Sequence, residues 1–299
     1  MDSNNVVSPI TYGKVKLLYK ISKQELIEKY KVESKIDITK FLATNEFISL
    51  YECESTGYRF FYPFDIAGDG DFYEKLEQIP WYYANWKWDY DVAKNYISSN
   101  TRVLDIGCGE GKFLSYLKSS KGCIVEGLEL NEHALKIAVK NNISVFNQTI
   151  QEYSNLNKEN YDVVTLFQVL EHISNVDEFL KSAIEVVRPK GLLIIAVPNN
   201  DPYYLKYEKD HFLNLPPHHM GWWNKGSLEK IAQIYNLELM KIVKQPLEHY
   251  SSYTKNFLSI RLGFPRFWVK VLSPFVKIFF YLNRNRINGA SIMAIFKKK

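Results

Sequence analysis

Between Val103 and Leu114 the chain reads VLDIGCGEGKFL, an apolar run closed by an acid and followed by glycines at 107, 109 and 111. A short apolar run of this kind is the signature of a strand buried on both faces of a parallel sheet. Glycines directly after it let the chain turn sharply and bring bare backbone up to a ligand. An α/β fold with a ligand-holding loop at a strand end satisfies both demands. The dinucleotide fingerprint G-x-G-x-x-G would put its third glycine where Lys112 stands, so a pyrophosphate ligand is disfavoured.

From about Asn85 onward, apolar strands alternate with amphipathic helical patterns. Strands are expected at 102–106, 123–130, 143–146, 161–166, 192–197, 237–244 and 290–296. Helices are expected at 89–98, 111–117, 132–140, 177–187 and 227–235. The stretch 14–84 has no such rhythm and is dense in aromatics, as in GYRFFYPF and in WYYANWKW from Trp81 to Trp88. It reads as a cap whose rings are core or interface. Two regions follow from this, an aromatic-rich cap over 1–84 and an α/β domain over 85–299.

The 299 residues, 46% of them hydrophobic, suffice for a substantial core. Cys53, Cys108 and Cys123 contain no C-x-x-C pair, so neither a disulfide framework nor a zinc ribbon is indicated. The first sixteen residues lack a secretory h-region, and a cytoplasmic protein is expected. Charge is unevenly placed: Ser251–Lys299 holds ten Lys and Arg and no acid, leaving −5 on the remainder of a chain whose net charge is +5.

Four segments, VLDIGCGEG, VEGLELN (125–131), FQVLEHI (167–173) and VVRPKGLLIIAVPN (186–199), occur in an order that resembles class I S-adenosylmethionine-dependent methyltransferases, in particular a bacterial subgroup acting on small molecules and sugars. The resemblance implies a Rossmann-like, mostly parallel seven-stranded sheet in the order 3-2-1-4-5-7-6, helices on both faces, with the cap added at the N-terminus. It also implies S-adenosyl-L-methionine as cofactor. Glu129 ends the second strand, where such sheets place an acid for the ribose hydroxyls, and a charged acceptor there makes a strong contact. Asp105 is expected to orient the glycine loop and meet the methionine amine. Gly107, Cys108 and Gly109 form the loop itself. Leu130 and Gln151 are placed toward the adenosine, and Gln168 toward the methionine end.

The acceptor side is expected in DHFLNLPPHHMGWWN, 210–224, where α/β sheets carry functional loops. Its PPHH followed by tryptophan resembles the same subgroup. His218 or His219 is the candidate proton acceptor, since an unperturbed imidazole titrates near 6.5. His172, His211 and Trp222 are candidate substrate contacts. Metal ligation by Asp210, His211, His218 and His219 is disfavoured because acids are scarce in the loop, and no metal is expected. LYECESTGYRFFYP (50–63) resembles a zinc-ribbon region of related sugar methyltransferases, but only Cys53 remains of the ligands.

The function read from the sequence is methyl transfer to a small molecule or glycan, foremost at a hydroxyl oxygen. The rivals are a catalytically silent cofactor-binding scaffold and a nicotinamide-dependent oxidoreductase. Nucleic acid is disfavoured, because VPNN at Val197–Asn200 replaces the NPPY of base methylation. A basic amphipathic insertion at 251–287 precedes the last strand. Within it, residues 256–282 set Trp268, Val271, Leu272, Phe275, Phe279 and Leu282 at helical spacing among cations. Peripheral contact with an anionic membrane surface, or a lid over the substrate pocket, is expected of it.

Overall fold

The computed structural model describes residues 6–79, 86–201, 211–248 and 250–299. The expected boundary at 84/85, residues 81–85 of the aromatic run, and Asp210 lie outside the described residues. Two sheets are present among the described residues. The larger holds β4 (Arg102–Ile106), β5 (Ile124–Leu128), β6 (Ser144–Phe146), β7 (Tyr161–Phe167), β8 (Val187–Pro198), β10 (Leu237–Pro246) and β11 (Asn288–Lys298). Its order is β6-β5-β4-β7-β8-β11-β10, with β11 antiparallel to both neighbours. This is the expected 3-2-1-4-5-7-6 arrangement.

From Val103, from Val163 and from Leu193 to Val197, the strands β4, β7 and β8 are buried because helices cover both faces of the sheet centre. One face packs with α7 (Val176–Glu185) and α8 (Lys225–Ile234), and the other with α3 (Trp88–Ala93) and α4 (Lys112–Lys121). The helix α5 (Glu132–Lys140) starts where Asn131 accepts the Ala134 N–H at 3.0 Å. The short α6 (Ile150–Ser154) starts at a Thr149/Glu152 capping box.

The N-terminal stretch has more regular structure than its sequence suggested. It runs β1 (Val15–Ser22), α1 (Lys23–Glu33), β2 (Phe47–Cys53), β3 (Arg59–Tyr62) and α2 (Gly70–Glu77). The three strands pair antiparallel, and a fourth, β9 (Gly221–Trp222), joins at the β3 edge with Phe60 opposite Gly221. The cap sheet therefore draws its last strand from beyond residue 200. Its core is mixed in the same way: Tyr30, Phe61 and Phe72 pack with Phe212, Leu215, Met220 and Trp222, and the Tyr30 hydroxyl donates to the carbonyls of Phe212 and Leu215 at 2.9 and 2.8 Å.

Between β10 and β11 lie α9 (Tyr250–Asn256) and α10 (Arg266–Asn283). Because β10 runs with the parallel strands, this connection leaves from the edge where β4, β5 and β7 end. Phe267, Trp268, Val271, Phe275, Ile278, Phe279 and Leu282 of α10 are exposed, Phe275 to 70%, while Phe280 alone of its described side chains is buried. No helix among the described residues is long and apolar enough to cross a membrane.

Candidate active site

The glycine loop follows from its backbone. Gly107, Gly109 and Gly111 have φ of +72°, +55° and +72°, a region that costs a side-chain-bearing residue roughly 1–2 kcal/mol. A Cβ at Gly107 would fall 2.4 Å from Cγ2 of Val169, whereas one at Gly109 would meet nothing within 4 Å. The loop is thus packed on Val169 at one glycine and open at the next. Cys108 is buried, its Sγ 2.4 Å from where a Cβ on Gly127 would stand, and burial pushes its thiol pKa up.

Glu129 closes the loop on its far side. Its Oε2 accepts the Gly109 N–H at 2.8 Å and its Oε1 accepts the Asn131 N–H at 2.8 Å. A carboxylate offers about four lone-pair sites and can accept several such donors at once. Asp105, by contrast, is 2% exposed and takes the Thr165 hydroxyl at 2.7 Å. Burial raises the pKa of its carboxyl to about 7. Leu130 is 59% exposed just past β5, and Gln151 is half-buried on α6.

Gln168, at φ +58°, starts the segment after β7. Its Nε2 donates to Asp89 Oδ2 at 3.0 Å and to Ser291 Oγ at 3.3 Å. Asp89 did not stand out in the sequence. It is buried at the start of α3, burial raises its pKa to about 6, and its Oδ1 has no hydrogen-bond partner among the described residues. An acid set among the aromatics of WKWDYDV was the available signal.

Three residues beyond Gln168 the same segment delivers Glu171 and His172. The rings of His172, His218 and His219 cluster, with centroids 4.4 to 5.1 Å apart. Each Nδ1 meets an oxygen: His172 the carbonyl of His218 at 2.6 Å, His218 the carbonyl of Leu213 at 2.8 Å, and His219 the Asn214 Oδ1 at 3.3 Å. Burial lowers all three pKa values, that of His172 to about 4 and those of the other two well below 6.5. They are neutral at pH 7 and weaker bases than a free imidazole. Glu171 behaves oppositely. Burial raises its carboxyl to about 8, its Oε1 lies 3.9 Å from His172 Nε2, and its Oε2 has no hydrogen-bond partner among the described residues.

The other two candidates lie differently. His211 is exposed, with Nδ1 accepting the Leu213 N–H at 3.3 Å. Trp222 is buried in the cap core, and its indole N–H donates to the Asn214 carbonyl at 2.7 Å.

A family model described as a methyltransferase domain matches residues 83–242, more than half of the chain. The chain belongs to that family. Membership carries the cofactor expected from the four sequence motifs, S-adenosyl-L-methionine. Among curated relatives, the chain is similar to the ubiquinone biosynthesis O-methyltransferase of Rickettsia bellii, 36% identical over 151 residues, which are 46% of this chain and 60% of the relative. It is 30% identical over 164 residues to the protein of the same name from Pseudomonas savastanoi pv. phaseolicola, covering 48% of this chain and 70% of the relative. The chain thus spans about 60% of the length of the Rickettsia relative. A SAM-dependent methyltransferase from Archaeoglobus fulgidus has a similar fold at TM-score 0.51 and 22% identity, covering 70% of this chain and 90% of that one.

Proposed function

We propose that the protein transfers the methyl group of S-adenosylmethionine to a hydroxyl oxygen of a small-molecule or glycan acceptor. The observation that carries this reading is the position of one short segment. Val169 lies against Gly107 of the cofactor loop, and two and three residues further on come Glu171 and His172. One side of the segment then faces the methyl donor and the other a cluster of proton-accepting groups. The O-methyltransferase names of the curated relatives agree with oxygen as the acceptor atom.

In the reaction, a lone pair of the acceptor oxygen attacks the methyl carbon and the carbon–sulfur pair returns to sulfur. The products are a methyl ether and S-adenosylhomocysteine. Alignment contributes most, on the order of 7–11 kcal/mol for well-oriented groups. The released proton goes to His218 or His219, as the sequence suggested, or to Glu171. Glu129 holds the ribose hydroxyls, and Gln168 with Asp89 borders the methionine end.

The acceptor is met at an anionic membrane surface. The exposed apolar face of α10, the ten cations and the absence of acids across 251–299 support this contact, through 256–282. A lipid-linked acceptor follows from it. The test incubates the protein with S-adenosylmethionine carrying a labelled methyl group and separate pools of hydroxylated small molecules, glycans and lipid-linked glycans. Label in an ether-stable methyl group of one pool is expected. Cofactor binding without turnover in every pool would favour the silent scaffold instead.

A further inference from the structure

We propose that His172, His218 and His219 together hold a divalent transition-metal ion of the zinc class. One ring nitrogen from each lies within 4.8 Å of those of the other two. The hydrogen bonds then fix which nitrogen carries the proton. A carbonyl oxygen only accepts, so His172 and His218 must donate through Nδ1–H to the carbonyls of His218 and Leu213. His219 donates likewise to Asn214 Oδ1. In a neutral ring the lone pair is left on Nε2. Metal-bound imidazoles show this arrangement, the second nitrogen donating to a carbonyl or carboxylate that fixes tautomer and orientation.

A second observation points to a cation at the same place. The Glu171 carboxyl stands 3.9 Å from His172 Nε2, is 1% exposed, and keeps Oε2 without a hydrogen-bond partner among the described residues. A buried polar atom in that state calls for a missing partner, and a bound cation supplies one.

Imidazole ligands suit zinc, cobalt, nickel and copper, while magnesium and calcium prefer oxygen sets. Zinc–nitrogen bonds of about 2.1 Å in a tetrahedral shell put ligand nitrogens roughly 3.4 Å apart. The three nitrogens, all within 4.8 Å of one another, have to draw together to reach that spacing. This set differs from the one weighed in the sequence. His211, whose Nδ1 accepts the Leu213 N–H, is not one of the three, and His172 takes its place from a different strand end. With the ion bound the imidazoles are ligands rather than bases. The binding itself does not rest on the methyl-transfer reading.

The test uses the full chain stripped with a chelator and titrated with cobalt(II) or zinc(II) alone. One ion per chain is expected by calorimetry, with the visible absorption of nitrogen-coordinated cobalt. H172N, H218N and H219N should each weaken binding at least tenfold, and N214A should weaken it measurably through His219. Retained S-adenosylmethionine affinity shows that each variant is folded. Absence of stoichiometric binding, or equal affinity in folded variants, overturns the proposal. For any variant that does not fold, X-ray absorption on the zinc-loaded wild type decides: a shell of imidazole nitrogens supports the site, and sulfur ligation overturns it.

Discussion

The Glu129 carboxylate and the Gly109 backbone are joined by a 2.8 Å hydrogen bond, while the second carboxylate oxygen holds Asn131. The acid thus shapes the loop as well as facing the ligand. E129A should weaken S-adenosylmethionine binding by about 1.5–3 kcal/mol. E129Q should lose less, since its amide still offers one acceptor oxygen. Calorimetry that finds both variants at wild-type affinity would place the cofactor elsewhere.

At Gly107 two separate penalties meet, a positive φ and the Val169 side chain. G107A should reduce cofactor affinity at least tenfold. Adding V169A should recover part of the loss, because it relieves the clash but leaves a backbone cost of roughly 1–2 kcal/mol. Full recovery would show that the backbone conformation is unimportant.

Burial raises the Glu171 carboxyl from 4.5 to about 8. A carboxyl whose pKa is raised on folding binds more protons in the folded state, so its contribution is present at low pH. It is lost as pH climbs from about 4.5 to about 8. Asp89 and Asp105 tilt the same way. E171Q should therefore flatten, without abolishing, the fall in urea-unfolding stability over that range, by an amount on the order of 2–4 kcal/mol. Turnover gives an independent reading. If Glu171 takes the acceptor's proton, kcat rises toward pH 8 and E171Q loses that rise. A rate already flat above pH 6 would instead assign the proton to the histidines, whose pKa values lie lower.

The α10 face should bind vesicles containing anionic lipid, weaken as salt is added, and ignore neutral vesicles. F275E, which puts a charge on a side chain 70% exposed, should abolish pelleting while leaving cofactor affinity intact. Failure of the wild type to pellet with either kind of vesicle would assign the segment to another role.

Gly221 has no room for a side chain, since a Cβ would fall 2.0 Å from the Tyr58 hydroxyl. G221A should cost about 1–3 kcal/mol by overpacking, seen in thermal unfolding, and Y58F should relieve part of it. An unchanged transition in G221A would mean that β9 can detach from β3 without consequence.

The larger sheet was legible because its strands must be apolar on both faces and its helices on one. The two periodicities therefore stand apart along the sequence, and even the terminal pair β10 and β11 was found. The glycine loop was legible because positive φ favours glycine. The cap was not: its strands lie under helices and a second chain segment, so alternation is blurred by aromatics such as Tyr58, Phe60 and Phe61, all fully buried. Glu171 and Asp89 look like ordinary acids until burial raises their pKa values. His218 and His219 look like free bases until burial lowers theirs. Titration behaviour depends on surroundings brought together from residues far apart in the chain, and spacing alone does not report it.

The pairing of Phe60 with Gly221 has a consequence for how the chain is made. A ribosome emits β1, β2 and β3 more than 150 residues before the strand that completes their sheet. Until Gly221 and Trp222 emerge, the β3 edge has no native neighbour, a condition that invites wrong pairing. The two histidines of PPHH arrive just ahead of that strand, so the imidazole cluster and the last edge of the cap are finished at the same moment of synthesis.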